Sequence, residues 1–316
     1  MKDRFRAPLA LIATTLAAVS CRAQAVFPLA AYSAGAAYDA AHHGLVVFGG
    51  FSSGRYLGET WDWDGSAWTK SATPGPSARN SPALVYDAKR GRVLMFGGDA
   101  SPAGDLGDMW ERVGDRWRQL TAPAPPARTT HLMVYDSRRD RVVLFGGVAG
   151  GETLGDTWEF DGDRWMRMAT DGPAARALYA MAYDSARGVT VLFGGTTLLG
   201  SDTSSLGDTW EWDGRRWAHI SVAGPSPREH VQMTYDPRYK TMVLHGGGAS
   251  DAEAAETWLY DGHHWTRAPY SGPSRRNARM MFDEQARAVI LYGGFAAQPS
   301  NELWRLGDSS WVRLAP

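Results

Sequence analysis

The chain lacks most of the features that announce a particular chemistry. It has one cysteine, Cys21, in 316 residues, so past that position no disulfide and no thiol chemistry can operate. After the N-terminal segment, no apolar run is long enough to cross a bilayer as a helix. The net charge is −1, which gives no general electrostatic attraction to nucleic acid or to an anionic membrane. There is no H-E-x-x-H, no G-x-S-x-G and no phosphate-binding glycine loop. The eight histidines show no recurrent metal-ligand spacing. No cofactor and no metal are expected, and the partners that fit are a glycan or another protein, not nucleic acid.

The first 25 residues read as a secretion signal. Lys2, Arg4 and Arg6 supply a basic start, and the apolar run from Leu9 to Val19 is too short to span and stop in a membrane. Ala23-Gln24-Ala25 has the form of a cleavage site, which would make residues 26–316 the mature domain. Ala18-Val19-Ser20-Cys21 supports a second reading, a lipoprotein anchored through Cys21 in the outer membrane. Both place the protein outside the cytoplasm, periplasmic or secreted in the first case.

Hydrophobic residues make up 44% of the chain, and they repeat. Gly pairs close apolar runs at Gly49-Gly50, Gly97-Gly98, Gly146-Gly147, Gly194-Gly195, Gly246-Gly247 and Gly293-Gly294, at steps of 48, 49, 48, 52 and 47 residues. Tryptophans seven apart occur six times, from Trp61/Trp68 to Trp304/Trp311, and account for twelve of the 14 in the chain. Most of these pairs bracket an Asp-Gly, such as Asp64-Gly65. An Asp-Gly centre suits a type I′ hairpin, which would set the two tryptophans opposite each other as a cross-strand rung. A second hairpin opens each repeat: a strand ending in Tyr-Asp (Phe282-Asp283 in the last), a short charged turn, then a run such as Val142-Val143-Leu144-Phe145. Runs that are apolar at every position imply burial on both faces.

Four strands per repeat, six repeats and no convincing helical segment predict an all-β, six-bladed β-propeller with four antiparallel strands per blade. The expected blades are about 29–72, 77–121, 126–169, 174–221, 226–268 and 273–316. An apolar run, a double glycine and two aromatics at fixed spacing resemble the kelch repeat. WD repeats fit less well, because no Gly-His partner recurs. Since each repeat supplies its own four strands in order, blade 6 is expected to close the ring by packing on blade 1, with Val26–Leu29 adding edge contacts.

Strand order collects the Gly-pair exits, the second-to-third-strand loops and the inter-blade links at one end, the top. An arginine recurs there seven residues before each Tyr/Phe-Asp: Arg79, Arg128, Arg176, Arg228 and Arg275, with Ala31 in blade 1. Kelch resemblance implies that these lie near the mouth of the central channel, where they suit acidic ligands. Two residues before each first tryptophan stands an acid: Glu59, Asp108, Asp156, Asp208, Glu256 and Glu302. The arginines therefore have two readings, ligand binding or structural pairing. Residues that vary after the arginine are further ligand candidates: Asn80-Ser81, Thr129-Thr130-His131, Ala177-Leu178-Tyr179, Glu229-His230 and Arg276-Asn277. His131 and His230 are of a type that titrates near neutral pH. His245, at the end of an apolar run, reads as structural. The enlarged loop Thr196–Leu206 is placed to cover the mouth. Lys89, Arg90, Arg92, Arg138, Arg139, Arg141, Arg238 and Lys240 form a basic fringe on the opposite face.

The function expected is a non-catalytic, extracytoplasmic binding module that uses the top face. Galactose oxidase and its relatives share the kelch propeller, but their copper–radical site needs a cysteine crosslinked to a tyrosine, which this domain cannot supply. Sialic-acid mutarotases, kelch propellers that act on a free sugar, imply the alternative of a carbohydrate-active enzyme of mutarotase or lyase type. In that case Glu229 and His230 would be the acid/base pair, beside Arg228 for a substrate carboxylate.

Overall fold

The computed structural model describes residues 28–168, 171–199, 202–248 and 250–315. The N-terminal segment read as a secretion signal, with Cys21, and Val26–Phe27 lie outside them. Six four-stranded antiparallel sheets follow one another, each with its strands in chain order. They run from Gly35 to Lys70, Ala83 to Leu120, Leu132 to Arg167, Ala180 to Ile220, Gln232 to Ser271 and Arg279 to Ala315. Blade 5 thus extends past the expected 268. Among the described residues the one helical piece is a single 3-10 turn, Glu253–Ala255. The first strand of each blade touches the first strand of the next all the way round, including Gly35–Asp39 against Arg279–Asp283. The structure is a closed six-bladed propeller with these strands around the axis.

Side-chain alternation explains why the second strands are apolar throughout. In blade 3, Val142 and Leu144 pack with Ala83, Leu94 and Phe96 of blade 2. Val143 and Phe145 pack with Met181, Leu192 and Trp217 of blade 4. Successive residues face opposite ways, and each face of a blade meets a neighbour, so every position is buried. The Gly pairs are needed where these strands exit. Gly97 and Gly98 have φ of 66° and 106°, and a Cβ on Gly97 would lie 2.5 Å from the Arg128 carbonyl oxygen. That carbonyl accepts from Gly98 N at 2.9 Å, so blade 3's link is stitched onto blade 2.

The tryptophan rung is not formed. Trp68 pairs with Trp63, while Trp61 pairs with Lys70. The turn lies one residue further along than Asp-Gly at its centre would put it. Asp64 ends the strand, its Oδ1 accepts from Ser66 N and Ala67 N at 2.8 Å each, and Gly65 takes the first central position with φ 97°. A glycine there is the signature of a type II′ turn, not I′. The two tryptophans instead do separate jobs. The first donates its indole N–H to the acid two residues earlier in all six blades, as Trp158 does to Asp156 at 2.6 Å. The second reaches into the preceding blade: Trp117 to Thr60, Trp217 to Thr157, Trp265 to Thr209 and Trp311 to Thr257, at 2.9–3.1 Å.

Blade 6 closes on blade 1 through packing. Tyr38, Leu45 and Val47 share a cluster with Met281, Ile290, Tyr292 and Leu303. Asn277 Nδ2 donates to Ser33 Oγ at 2.6 Å and Asn301 Nδ2 to the Pro28 carbonyl at 3.0 Å.

Candidate functional site

The recurrent arginines of blades 2 to 5 are withdrawn from the surface. Arg79, Arg128, Arg176 and Arg228 are 0–1% exposed. Arg79 Nη1 and Nη2 grip Asp108 at 2.5 and 2.8 Å, and Nη1 also donates to the Gly97 carbonyl. Arg128 holds Asp156 and Arg176 holds Asp208 in the same two-pronged way. Arg228 pairs with Glu256 at 2.8 Å, and Arg275 pairs with Glu302. Burial would raise the carboxyls of Asp108, Asp156 and Asp208, but hydrogen bonds from the arginine and the neighbouring indole outweigh it and hold them below the usual range. Each arginine's backbone belongs to the previous blade's exit loop while its side chain belongs to its own blade. These five residues act as keystones between blades; four have their guanidinium groups buried and paired, and Arg275, also paired, is partly exposed.

Two other candidates are also interior. His131 is 2% exposed and packs on Phe96 at 5.4 Å. Burial pushes its pKa down to about 3, so it stays neutral rather than titrating near pH 7. Tyr179 is 2% exposed and donates to the Phe145 carbonyl of blade 3 while accepting from Leu132 N. His245 is held by Thr257 and the Pro273 carbonyl at 2.9 Å each, and burial lowers its pKa to about 4. Much of the basic fringe is ion-paired: Lys89 with Asp140, Arg90 and Arg92 with Asp87, Arg139 with Asp136 and Glu159, and Arg238 with Asp236, while Arg138 and Arg141 donate to backbone carbonyls.

What the top face does present is a ring of bends. Ser33, Ser81, Thr130, Leu178, His230 and Asn277 occupy the same position in the six blades, two after the arginine or Ala31. All six have φ between 48° and 59°. Non-glycine residues rarely adopt this left-handed conformation, and it is rarer still for branched Thr130. Neighbouring bends are stitched together: Ser81 N to Ser33 O at 2.7 Å, His230 N to Leu178 O at 2.8 Å and Asn277 N to His230 O at 2.9 Å. Strain held by surrounding structure is a recurrent property of functional rims.

These bends floor an open cavity of about 380 Å³ whose wall includes Tyr32, Asn80, Asp99, Thr129 and Phe295. A continuous aromatic chain starts on its wall with His230, Phe295 and Tyr32 and runs on behind it through Phe51 and Tyr56. His230 meets Phe295 at 6.0 Å, Phe295 meets Tyr32 at 6.2 Å, Tyr32 meets Phe51 at 5.4 Å and Phe51 meets Tyr56 at 5.1 Å. The Tyr56 hydroxyl then donates to Asp99 at 2.7 Å. Thr129, Thr130 and Leu178 form the opposite side.

Of the predicted residues, His230 and Asn277 line this cavity, and Glu229 stands beside it with its Oε1 3.6 Å from His230 Nδ1. The adjacent His230 imidazole lowers the Glu229 carboxyl, against a smaller effect of burial. Arg276 turns outward to Asp251 at 3.2 Å. Loop Thr196–Leu206 is a β-hairpin, Thr196–Leu199 with Asp202–Ser205, that packs beside the blade 3 strand Glu152–Phe160. Tyr32, Phe51, Asp99 and Phe295 were not singled out from sequence. The signal was available: Phe51, Asp99 and Phe295 each directly follow a Gly pair, and each bridges to the residue after Ala31 or the arginine, as Tyr32 does with Phe51 and Arg276 with Phe295. Among the described residues no cluster of three or more His, Cys, Asp or Glu is placed to hold a metal.

No protein-family model matches the chain, and no curated protein matches it. Solved structures do, 382 chains of them. The structure of YjhT superposes with a TM-score of 0.68 at 15% identity, over 91% of this chain and 98% of that one. Likeness at that identity reaches the fold and no further: the chain is built as YjhT is, a β-propeller.

Proposed function

We propose that the protein is an exported, non-catalytic binding module that takes a carbohydrate-bearing ligand on its top face. The aromatic arc from His230 through Phe295 and Tyr32 carries this reading. Flat aromatic faces beside an amide, a carboxylate and hydroxyls suit the alternating apolar and hydroxyl faces of a sugar ring. Export rests on the N-terminal segment, and the mass of the mature protein separates cleavage after Ala25 from lipidation at Cys21. A glycan array followed by titration of the hits tests the binding. Phe295→Ala and Tyr32→Ala should each weaken a hit about tenfold or more, equivalent to ~1.4 kcal/mol. Unchanged affinity in the double variant sinks the reading.

The Glu229–His230 pair favours a second reading, an acid/base enzyme acting on a free sugar. Against it, every described carboxylate with a resolved shift is moved down, Glu229 included. A general acid needs one moved up towards the working pH. Anomer exchange by a bound sugar, accelerated by the protein and abolished in Glu229→Gln, would reverse the preference.

A further inference from the structure

Arg279 stands apart from the other top-face arginines. It opens the inner strand Arg279–Asp283. The residues at its level in the other five blades, read from the strand registers, are Gly35, Ala83, Leu132, Ala180 and Gln232. All five are uncharged. Directly beneath the ring of bends, this layer begins a central channel of about 340 Å³ whose wall includes Leu132, Tyr135, Tyr183, Phe282 and Arg279 itself.

The guanidinium is poorly compensated there. Its Nη1 donates to the Ala278 carbonyl at 3.0 Å and, weakly, to Asn277 Oδ1 at 3.5 Å. A guanidinium has five N–H donors, and among the described residues no carboxylate forms an ion pair with this one. Arg279 is half-buried, and partial loss of solvent lowers its pKa to about 10, with no acidic neighbour opposing the shift. Its charge bears on His131, which belongs to blade 3 across the ring. Arg279 therefore brings one positive charge, with no ion pair among the described residues, into a channel whose lining holds one other charged residue, Glu284, just past the far end of the same strand, and a desolvated charge without a close partner costs stability. Through Asn277 it also adjoins the top-face cavity.

We propose that the channel beneath the mouth binds a small organic monocarboxylate, with Arg279 as the group that grips its carboxylate. One cation balances one negative charge, so a dianionic phosphate would be left half compensated. The planar fork matches a carboxylate in two-pronged fashion. Leucine and aromatic walls accept a carbon body, and the volume lies at the lower end of small-molecule pockets, ~300–1,000 Å³. The inference rests on the top-face reading only in taking the mouth as the ligand's way in.

The test uses matched pairs, benzoate with benzamide and D-glucuronate with D-glucose, followed by ligand-observed NMR and calorimetry. At least one acid should bind, and its neutral counterpart should bind tenfold or more weakly. Arg279→Met should weaken the acid at least tenfold, and Arg279→Lys should retain part of the affinity. The melting temperature of Arg279→Met should equal or exceed that of the parent, because an uncompensated charge is removed. The inference is overturned if neither acid binds, if Arg279→Met binds it equally well, or if Arg279→Met melts well below the parent, which would make the arginine part of the fold. A neutral glycan hit from the array, retained by Arg279→Met and lost in the Tyr32/Phe295 variants, separates failure at the channel from failure at the rim.

Discussion

In the seam between blades 3 and 4, Arg176 donates its backbone N–H to Leu154 of blade 3 and its guanidinium to Asp208 and the Gly194 carbonyl of blade 4. Trp217 adds an indole bond from blade 4 to Thr157 of blade 3 at 2.9 Å. The seam between blades 6 and 1 has neither device. Ala31 replaces the arginine, and Glu59 turns to Lys70, half exposed, at 2.6 Å. Leu303 replaces the threonine, and Trp68 Nε1 has no hydrogen-bond partner among the described residues while its ring rests on Tyr292 at 5.2 Å. Apolar packing and a few side-chain bonds do the work. The same seam carries most of the aromatic arc: Tyr32, Phe51 and Phe295 flank it. Where the repeat imposes a keystone, its residues are committed to the fold; where it does not, they are available to face a ligand.

Breaking one keystone should have the largest effect. Arg176→Ala leaves Asp208, 26% exposed, without its countercharge. Loss of one member of a buried pair costs about 3–5 kcal/mol, and the residual exposure of Asp208 puts this pair towards the low end. Lys70→Ala, at the closing seam, should cost less than ~1 kcal/mol, as surface pairs do. Urea unfolding of the two variants compares them directly. Equal losses would mean that the arginines are not keystones.

Acidification separates the interior histidines from the paired carboxylates. His131 and His245 have folded pKa values of about 3 and about 4, against about 6.5 unfolded. Below pH 6.5 the unfolded chain binds protons at these sites and the folded one does not, so stability falls as pH falls. For His245 the loss between pH 6.5 and 4 is about 3 kcal/mol, at ~1.4 kcal/mol per unit. Asp108, Asp156 and Asp208 are lowered as well. Their contribution, intact above the unfolded carboxylate range, is lost only as pH falls below ~4. His131→Phe, which keeps the contact with Phe96, should make the first limb shallower, leaving the share due to His245, and leave the second unchanged. An unchanged slope from pH 6.5 to 4 would show that His131 is not a buried neutral base.

The blade plan was legible because its devices are local. A Gly pair, a Tyr-Asp and a charged turn each act within a few residues, and their period carries the count of six. The turn was misplaced by one residue because Asp-Gly serves equally as the centre of one hairpin and the edge of another. The Asp64 side chain, bonding to Ser66 N and Ala67 N, decides between them. Arginine–acid pairing was legible as one of two readings, but its depth was not, since burial depends on the neighbouring blade. The mouth was least legible. Tyr32 and Phe295 meet only when the ring closes, and left-handed bends at serine, threonine and leucine leave no compositional mark.

The smallest effect sharpens the seam comparison further. Trp217→Phe removes the indole N–H that satisfies Thr157 Oγ1 in the interior, whereas Trp68→Phe removes one that satisfies no group among the described residues. Both indoles are 6–7% exposed and pack on aromatic neighbours, so loss of ring area is nearly the same. The difference should approximate one buried hydrogen bond, about 1 kcal/mol, with Trp217→Phe the less stable. Trp68→Phe should come close to parent stability once the smaller ring is allowed for, because it also removes an unsatisfied donor. A larger loss from Trp68→Phe than from Trp217→Phe would show that its indole nitrogen has a partner at the closing seam, and that this seam is bonded as the others are.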